Sequence, residues 1–92
     1  MSHLSHDELQ KRINQAANLA KVGKIYIHYK YPDFRYKVIG LGIQEASEKI
    51  CVIYCDTRSP DIHFVRDLDS WLEEVELHDK LVPRFQQAIL KV

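Results

Sequence analysis

Between Ile25 and Asp56 the chain holds three runs rich in β-branched and aromatic residues, with very little chain between them. The first is Ile25 to Tyr31, the second Arg35 to Gln44 and the third Ile50 to Asp56. Such residues suit a pleated, half-buried surface, and connections this short join antiparallel neighbours. Pro32-Asp33 signals a turn after the first run, and Glu45 to Lys49 is a polar turn after the second. Tyr36 and Val38 alternate with Arg35 and Lys37 before the second run becomes apolar on both faces. Gly40 and Gly42 within it predict a bend or bulge, as a small curled sheet requires. The third run is apolar on both faces, which places it inside the sheet.

Flanking segments complete the pattern. Ser5 and Glu8 form a capping box, Leu4 and Leu9 a hydrophobic staple, and Asp7 and Glu8 suit the positive end of a helix dipole. Leu9, Ile13, Ala16, Ala17 and Ala20 recur at helical spacing, so a helix is expected over 5–22, with Gly23 as its stop. Thr57 to Asp61 reads as a loop and Ile62 to Arg66 as a fourth strand. Leu68, Trp71, Leu72 and Val75 predict a short helix or 3₁₀ turn with Asp67 able to cap it. Val75 to Leu77 and Lys80 to Val82 flank His78-Asp79 as a hairpin. Pro83 is expected to open a last helical turn with Phe85, Ala88, Ile89 and Val92 on its apolar face.

Ninety-two residues, 46% hydrophobic and 28% charged, make one ordinary globular domain. A chain this short buries only about two thirds of its unfolded surface, so short strands must curl to enclose a core. The expected fold is mainly β: a small SH3-like antiparallel barrel over 24–92, preceded by an N-terminal helical extension over 1–23 and ending in short C-terminal helical turns. A two-layer α+β fold is the alternative. No apolar run approaches the roughly 20 residues that span a bilayer, and the N-terminus lacks the apolar stretch of a signal peptide. The expected location is the cytoplasm. Cys51 and Cys55 lie four apart in one predicted strand, about 13 Å, too far for a disulfide. They read as small core residues.

Thirteen basic residues balance thirteen acidic ones. The early strands carry Lys21, Lys24, Lys30, Arg35 and Lys37 against Asp33 alone, whereas 56–79 is acidic. Candidate chemistry sits on two strands. Period-2 alternation puts Tyr26, His28 and Lys30 on one face of the first, and Phe64 and Arg66 on one face of the fourth. His28 titrates nearest neutral pH. Arg66 suits a carboxylate or phosphate fork, unless a neighbouring acid pairs with it. Tyr26, Tyr29, Tyr36 and Tyr54 are groove candidates, with Tyr29 and Tyr54 expected in the core, and Trp71 is expected as a core anchor. His3 and His6 lie near the terminus, and His63 and His78 lack carboxylate or Cys partners at metal-ligand spacing, so no metal or other cofactor is expected. No nucleophile elbow or glycine-rich phosphate loop is present.

Tyr26-Ile27-His28-Tyr29-Lys30, Tyr36-Lys37-Val38-Ile39-Gly40, Tyr54, Phe64-Val65-Arg66, Trp71-Leu72-Glu73 and Pro83-Arg84-Phe85 occur in that order. Their order and spacing resemble domain-of-unknown-function family 1653, small bacterial proteins with the pattern Y-x-H-Y-K, Y-x-V-x-G, V-Y, W-V-R-P, F-x-E and P-R-F. The resemblance covers roughly 24–85 and implies a small SH3-like barrel but no activity. The chain departs from the pattern at Phe64, where the family has Trp, at Asp67, where it has Pro, and at Tyr31-Pro32, where a glycine is expected.

The favoured function is a non-catalytic binding module that presents Tyr26, His28, Lys30, Phe64 and Arg66 to a peptide, a protein or a small anionic ligand. A nucleic-acid barrel using Lys24, Lys30, Arg35, Lys37 and Tyr26 is the alternative, disfavoured by zero net charge. A small enzyme ranks below both. No membrane partner is expected, and the alanine-rich helix is a candidate homodimer contact.

Overall fold

The computed structural model describes residues 4–89. In chain order the elements are α1 (His6–Ala16), β1 (Ile25–His28), β2 (Tyr31–Ile43), β3 (Ile50–Asp56) and β4 (Phe64–Asp67). These are followed by α2 (Leu68–Leu72), β5 (Glu74–Leu77), β6 (Lys80–Pro83) and β7 (Phe85–Gln87). The fold is mainly β. Five strands form an antiparallel sheet in the order β4-β3-β2-β1-β7, and β5 pairs with β6 as a separate hairpin. The five-stranded sheet is open, with β4 and β7 as its edges.

That sheet is strongly curled. Four strand spacings separate β4 from β7, about 19 Å if the sheet were flat. Yet the Arg66 guanidinium of β4 lies 5.4 Å from the Phe85 ring centre of β7. Two irregularities in β2 supply the bend. Between the Val38–Tyr54 and Gly40–Ile53 pairs, Ile39 is an extra residue on β2, a bulge where the glycines predicted one. Between the Tyr26–Tyr36 and His28–Tyr31 pairs, β2 places four residues opposite Ile27 alone. Pro32-Asp33 therefore marks this outward excursion and not the turn expected there. The turn is Tyr29-Lys30, three residues earlier. Neither residue has positive φ, so the turn lacks the backbone twist of the primed hairpin types, and pairing breaks off directly beside it.

Trp71, 1% exposed, stands at the centre of the core. Its indole stacks parallel on Phe85 at 3.8 Å and meets Tyr54 at 5.0 Å and Tyr26 at 5.3 Å edge-on. Val38, Val52 and Ala20 complete the buried cluster. The core role expected for Trp71 and Tyr54 is present, whereas Tyr29 is only half-buried. β3 is buried on both faces, and Cys51 and Cys55 are buried free thiols.

Three expected elements differ. α1 stops at Ala16, six residues short of the helix end that the spacing predicts at 22. Tertiary partners claim the later amides: Lys21 N–H donates to the Tyr26 hydroxyl at 3.0 Å and Gly23 N–H to the Val38 carbonyl at 2.8 Å. Gly23, with φ +84°, turns the chain into the sheet instead of ending a helix. Ala16 and Ala20 are buried and α1 packs on β2 and β3, so part of the alanine stripe is spent within the molecule. Asp67 sits at the start of α2 without capping it; its carboxylate lies 3.7 Å from Cys51 Sγ. The C-terminal helical turn is a strand instead. Residues 85–87 pair with β1, and Tyr29 N–H and Ala88 N–H bond the Arg84 and Ile25 carbonyls. The open edge of β1 offers these groups partners that an isolated helical turn lacks. Val92, assigned to that turn, lies outside the described residues.

The expected β5–β6 hairpin is present, with His78 and Asp79 at φ 51° and 65°. Asp79→Gly should stabilise the fold by about 0.5–1 kcal/mol, because glycine relieves the left-handed strain. Trp71→Ala should cost about 3–5 kcal/mol, a large part of a small domain's stability. Urea unfolding midpoints of both variants check the two signs.

Candidate functional site

The inner face of the curled sheet is set by cross-strand pairing. Directly opposed residues share a face, so Phe64 lies beside Tyr54, Arg66 beside Val52, and His28 beside both Phe85 and Tyr31. The curl brings these rows around one cleft of about 160 Å³, lined by His28, Tyr31, Tyr36, Tyr54, Phe64, Arg66 and Phe85. Phe85 is the common wall. Its ring centre is 4.9 Å from His28, 5.5 Å from Tyr54 and 6.1 Å from Tyr36. Phe64 packs on Tyr54 at 5.6 Å, and Tyr31 on His28 at 5.3 Å.

Arg66 is half-buried here. Its Nη1 donates to Ser70 Oγ at 3.0 Å, a bond that fixes the guanidinium from α2. Among the described residues, no carboxylate pairs with it. The acid next in sequence, Asp67, points to the other face of β4, since successive strand side chains alternate. The salt bridge that a neighbouring acid was placed to form is therefore not made. Arg84 does find an acid: its Nη2 lies 3.2 Å from Glu73 Oε2.

His28 is 8% exposed and is held both by ring packing and by a hydrogen bond. Its ring packs on Phe85, and its Nδ1 accepts the Lys30 backbone N–H at 3.1 Å. That hydrogen bond pins the β1–β2 turn. With Nδ1 as acceptor, the proton of the neutral ring resides on Nε2, which is left as a donor. Burial holds the imidazole pKa below 6.5, and the positive charges of Arg66, Arg84 and Lys30 push it further in the same direction. The surroundings of the cleft are cationic, and His28 is neutral within them.

Of the five residues singled out by alternation, His28, Phe64 and Arg66 line one cleft. The other two do not. Tyr26 is 5% exposed and faces Trp71, with its hydroxyl occupied by Lys21 N–H. Lys30 sits in the turn, where strand alternation has ended, and its ammonium lies 5.9 Å from the Tyr29 ring. Tyr31 and Phe85 are additional lining residues that strand periodicity does not identify. Tyr31 is hidden behind the misplaced turn, and Phe85 behind the helical spacing of Phe85, Ala88 and Ile89. The Pro83-Arg84-Phe85 motif is the signal that marks Phe85.

Among the described residues, no group of three or more His, Cys, Asp or Glu side chains could hold a metal ion, and no helix is long and apolar enough to cross a membrane. The Cys51 thiol is pushed up by burial and by Asp67, which disfavours the thiolate.

The depressed pKa of His28 gives a signed prediction. The unfolded chain takes up a proton near 6.5, whereas the folded chain resists it, because protonation would remove the Nδ1 acceptor beside two arginines. Stability should therefore fall as pH drops from 6.5 towards the folded-state pKa, since there the unfolded state binds more protons. His28→Gln should flatten that part of the profile in chemical denaturation series across pH 4–8.

Comparison with curated proteins and with solved structures gave no match. The family described as Protein of unknown function (DUF1653) matches residues 24–87, which span the five-stranded sheet and every residue of the cleft, and the chain belongs to that family.

Proposed function

We propose that this domain is a non-catalytic binding module, a curled sheet of SH3-like type whose cleft takes an anionic group of a peptide, protein or small ligand. The observation that carries this reading is Arg66: a guanidinium on the wall of an aromatic cleft, held by Ser70 and paired with no carboxylate among the described residues. An arginine in that state supplies a planar fork for a carboxylate or phosphate. His28 adds a neutral Nε2–H donor. Phe64, Tyr31 and Tyr54 give the apolar body of a ligand a surface to pack against. A volume of about 160 Å³ suits one side chain or a benzoate-sized molecule and falls below the range of drug-sized pockets.

Catalysis has less support. Every charge that shifts His28 is cationic, and no carboxylate among them would orient or activate the ring as a base. Nucleic-acid binding through the early strands loses its stacking residue, because Tyr26 is buried against Trp71. Arg35 on the same strands is occupied with the Pro32 and Phe34 carbonyls.

Benzoate and its neutral analogue benzamide test the reading by NMR titration of ¹⁵N-labelled protein. Benzoate should shift the Arg66 Nε and His28 ring signals and bind at least fivefold more tightly than benzamide. Arg66→Gln should abolish that preference while keeping the fold, since Arg66 is only half-buried and a glutamine keeps the apolar stem of the side chain. His28 is left intact in this test, because it also pins the turn. Equal response to both compounds, or shifts confined to other surfaces, would refute an anion site.

A further inference from the structure

Two lining residues of the cleft, Phe64 and Arg66, stand on β4, an edge of the sheet. β4 pairs with β3 in unbroken register from Tyr54–Phe64 to Cys51–Asp67. Among the described residues its other side has no strand neighbour, so one row of backbone N–H and C=O groups there is open to a further strand. β4 is a short edge, four residues with Arg66 and Asp67 on it, but it carries no bulge or proline to break its ladder. Apolar side chains gather at the same place: Ile62, Phe64 and Val65 are all exposed, Val65 to 66%.

We propose that β4 accepts an extended acidic segment of a partner protein as a sixth strand, with one carboxylate side chain of that segment seated against Arg66. This rests on the anion-binding reading above and names its partner. Strand geometry fixes what the segment must carry. Its residue opposite Arg66 faces the cleft, so it is acidic. Its next residue, opposite Val65, lies on the outer face with Val65 and Ile53, so it is apolar. Its third residue, opposite Phe64, faces the cleft rim and packs on the Phe64 ring, so it is apolar or aromatic. The charge of the site selects the acid, because Arg66, Arg84 and Lys30 all act on His28 with positive sign. The small cleft matches one side chain projecting from a backbone that is held elsewhere. In this mode main-chain bonds supply affinity and alternate side chains supply specificity.

The test uses two blocked pentapeptides, threonine-glutamate-valine-phenylalanine-threonine and its reverse, which cover both strand directions. One of them should shift the backbone amide signals of Phe64 to Asp67 and slow their hydrogen exchange. N-methylation at alternate peptide positions should weaken binding at least tenfold for one alternating set and little for the other, because only one set faces β4. Replacing the peptide glutamate by glutamine, or Arg66 by glutamine, should weaken binding severalfold. If benzoate binds at the cleft but neither peptide shifts the β4 amides, or both N-methylated sets bind alike, strand addition is overturned while the anion site stands. If benzoate also fails, the anion site itself is overturned. Sedimentation showing that a second copy of this chain already pairs along β4 would overturn the partner assigned here.

Discussion

The parallel stack of Phe85 on Trp71 joins the two ends of the molecule. Trp71 arrives directly after β4 on α2, and Phe85 begins β7, so one ring contact ties opposite edges of a five-stranded sheet. Without it the sheet would have no reason to curl so tightly, and the strand pairs would leave an aromatic face in water. Burial of that face is the main gain open to a chain of this size, where every large ring is a sizeable share of the core. The bulge at Ile39 and the excursion at 32–35 are the places where β2 bends to permit the closure.

The cleft is a consequence of the same closure. Trp71 fills the curl from one end, while towards the other Tyr54 meets Phe85 edge-on and Phe64 at a tilt, and together with Tyr31 these rings line a concavity. Among the described residues that line it, Arg66 is the one arginine or lysine, held by a neutral hydroxyl. His28 serves both fold and cleft: its ring lines the concavity while Nδ1 secures the turn that reverses β1 into β2. That double duty separates the two residues as probes. Arg66 reports on ligand chemistry with little effect on folding, and His28 cannot.

Local patterns read correctly where the local signal had no tertiary competitor. The three central strands, the bulge near Gly40, the hairpin at His78-Asp79 and the buried character of Trp71 all follow from period, propensity and size. Misreadings fall where a tertiary partner outbid a local preference. The helix ends at Ala16 because Tyr26 and Val38 take amides further along the chain. The Pro83 to Ile89 segment has helical spacing, yet β1 offers it a ladder of bonds. Tyr26 has the same strand parity as His28, and parity placed both on the inner face without saying that Trp71 would cover one of them.

The sequence by itself determined a mainly β domain, the faces of its strands and the residue types available on them, because alternation and side-chain volume act over a few residues at a time. Tertiary structure alone decided which of those residues meet. His28 and Arg66 are thirty-eight positions apart on strands that are not neighbours in the sheet, and only its curl, set by two irregularities in β2 and a ring stack between its edges, brings them to one wall. Whether Arg66 stayed unpaired was equally a matter of three dimensions: eight acidic residues crowd the sequence from Asp56 to Asp79, yet none of them forms an ion pair with it.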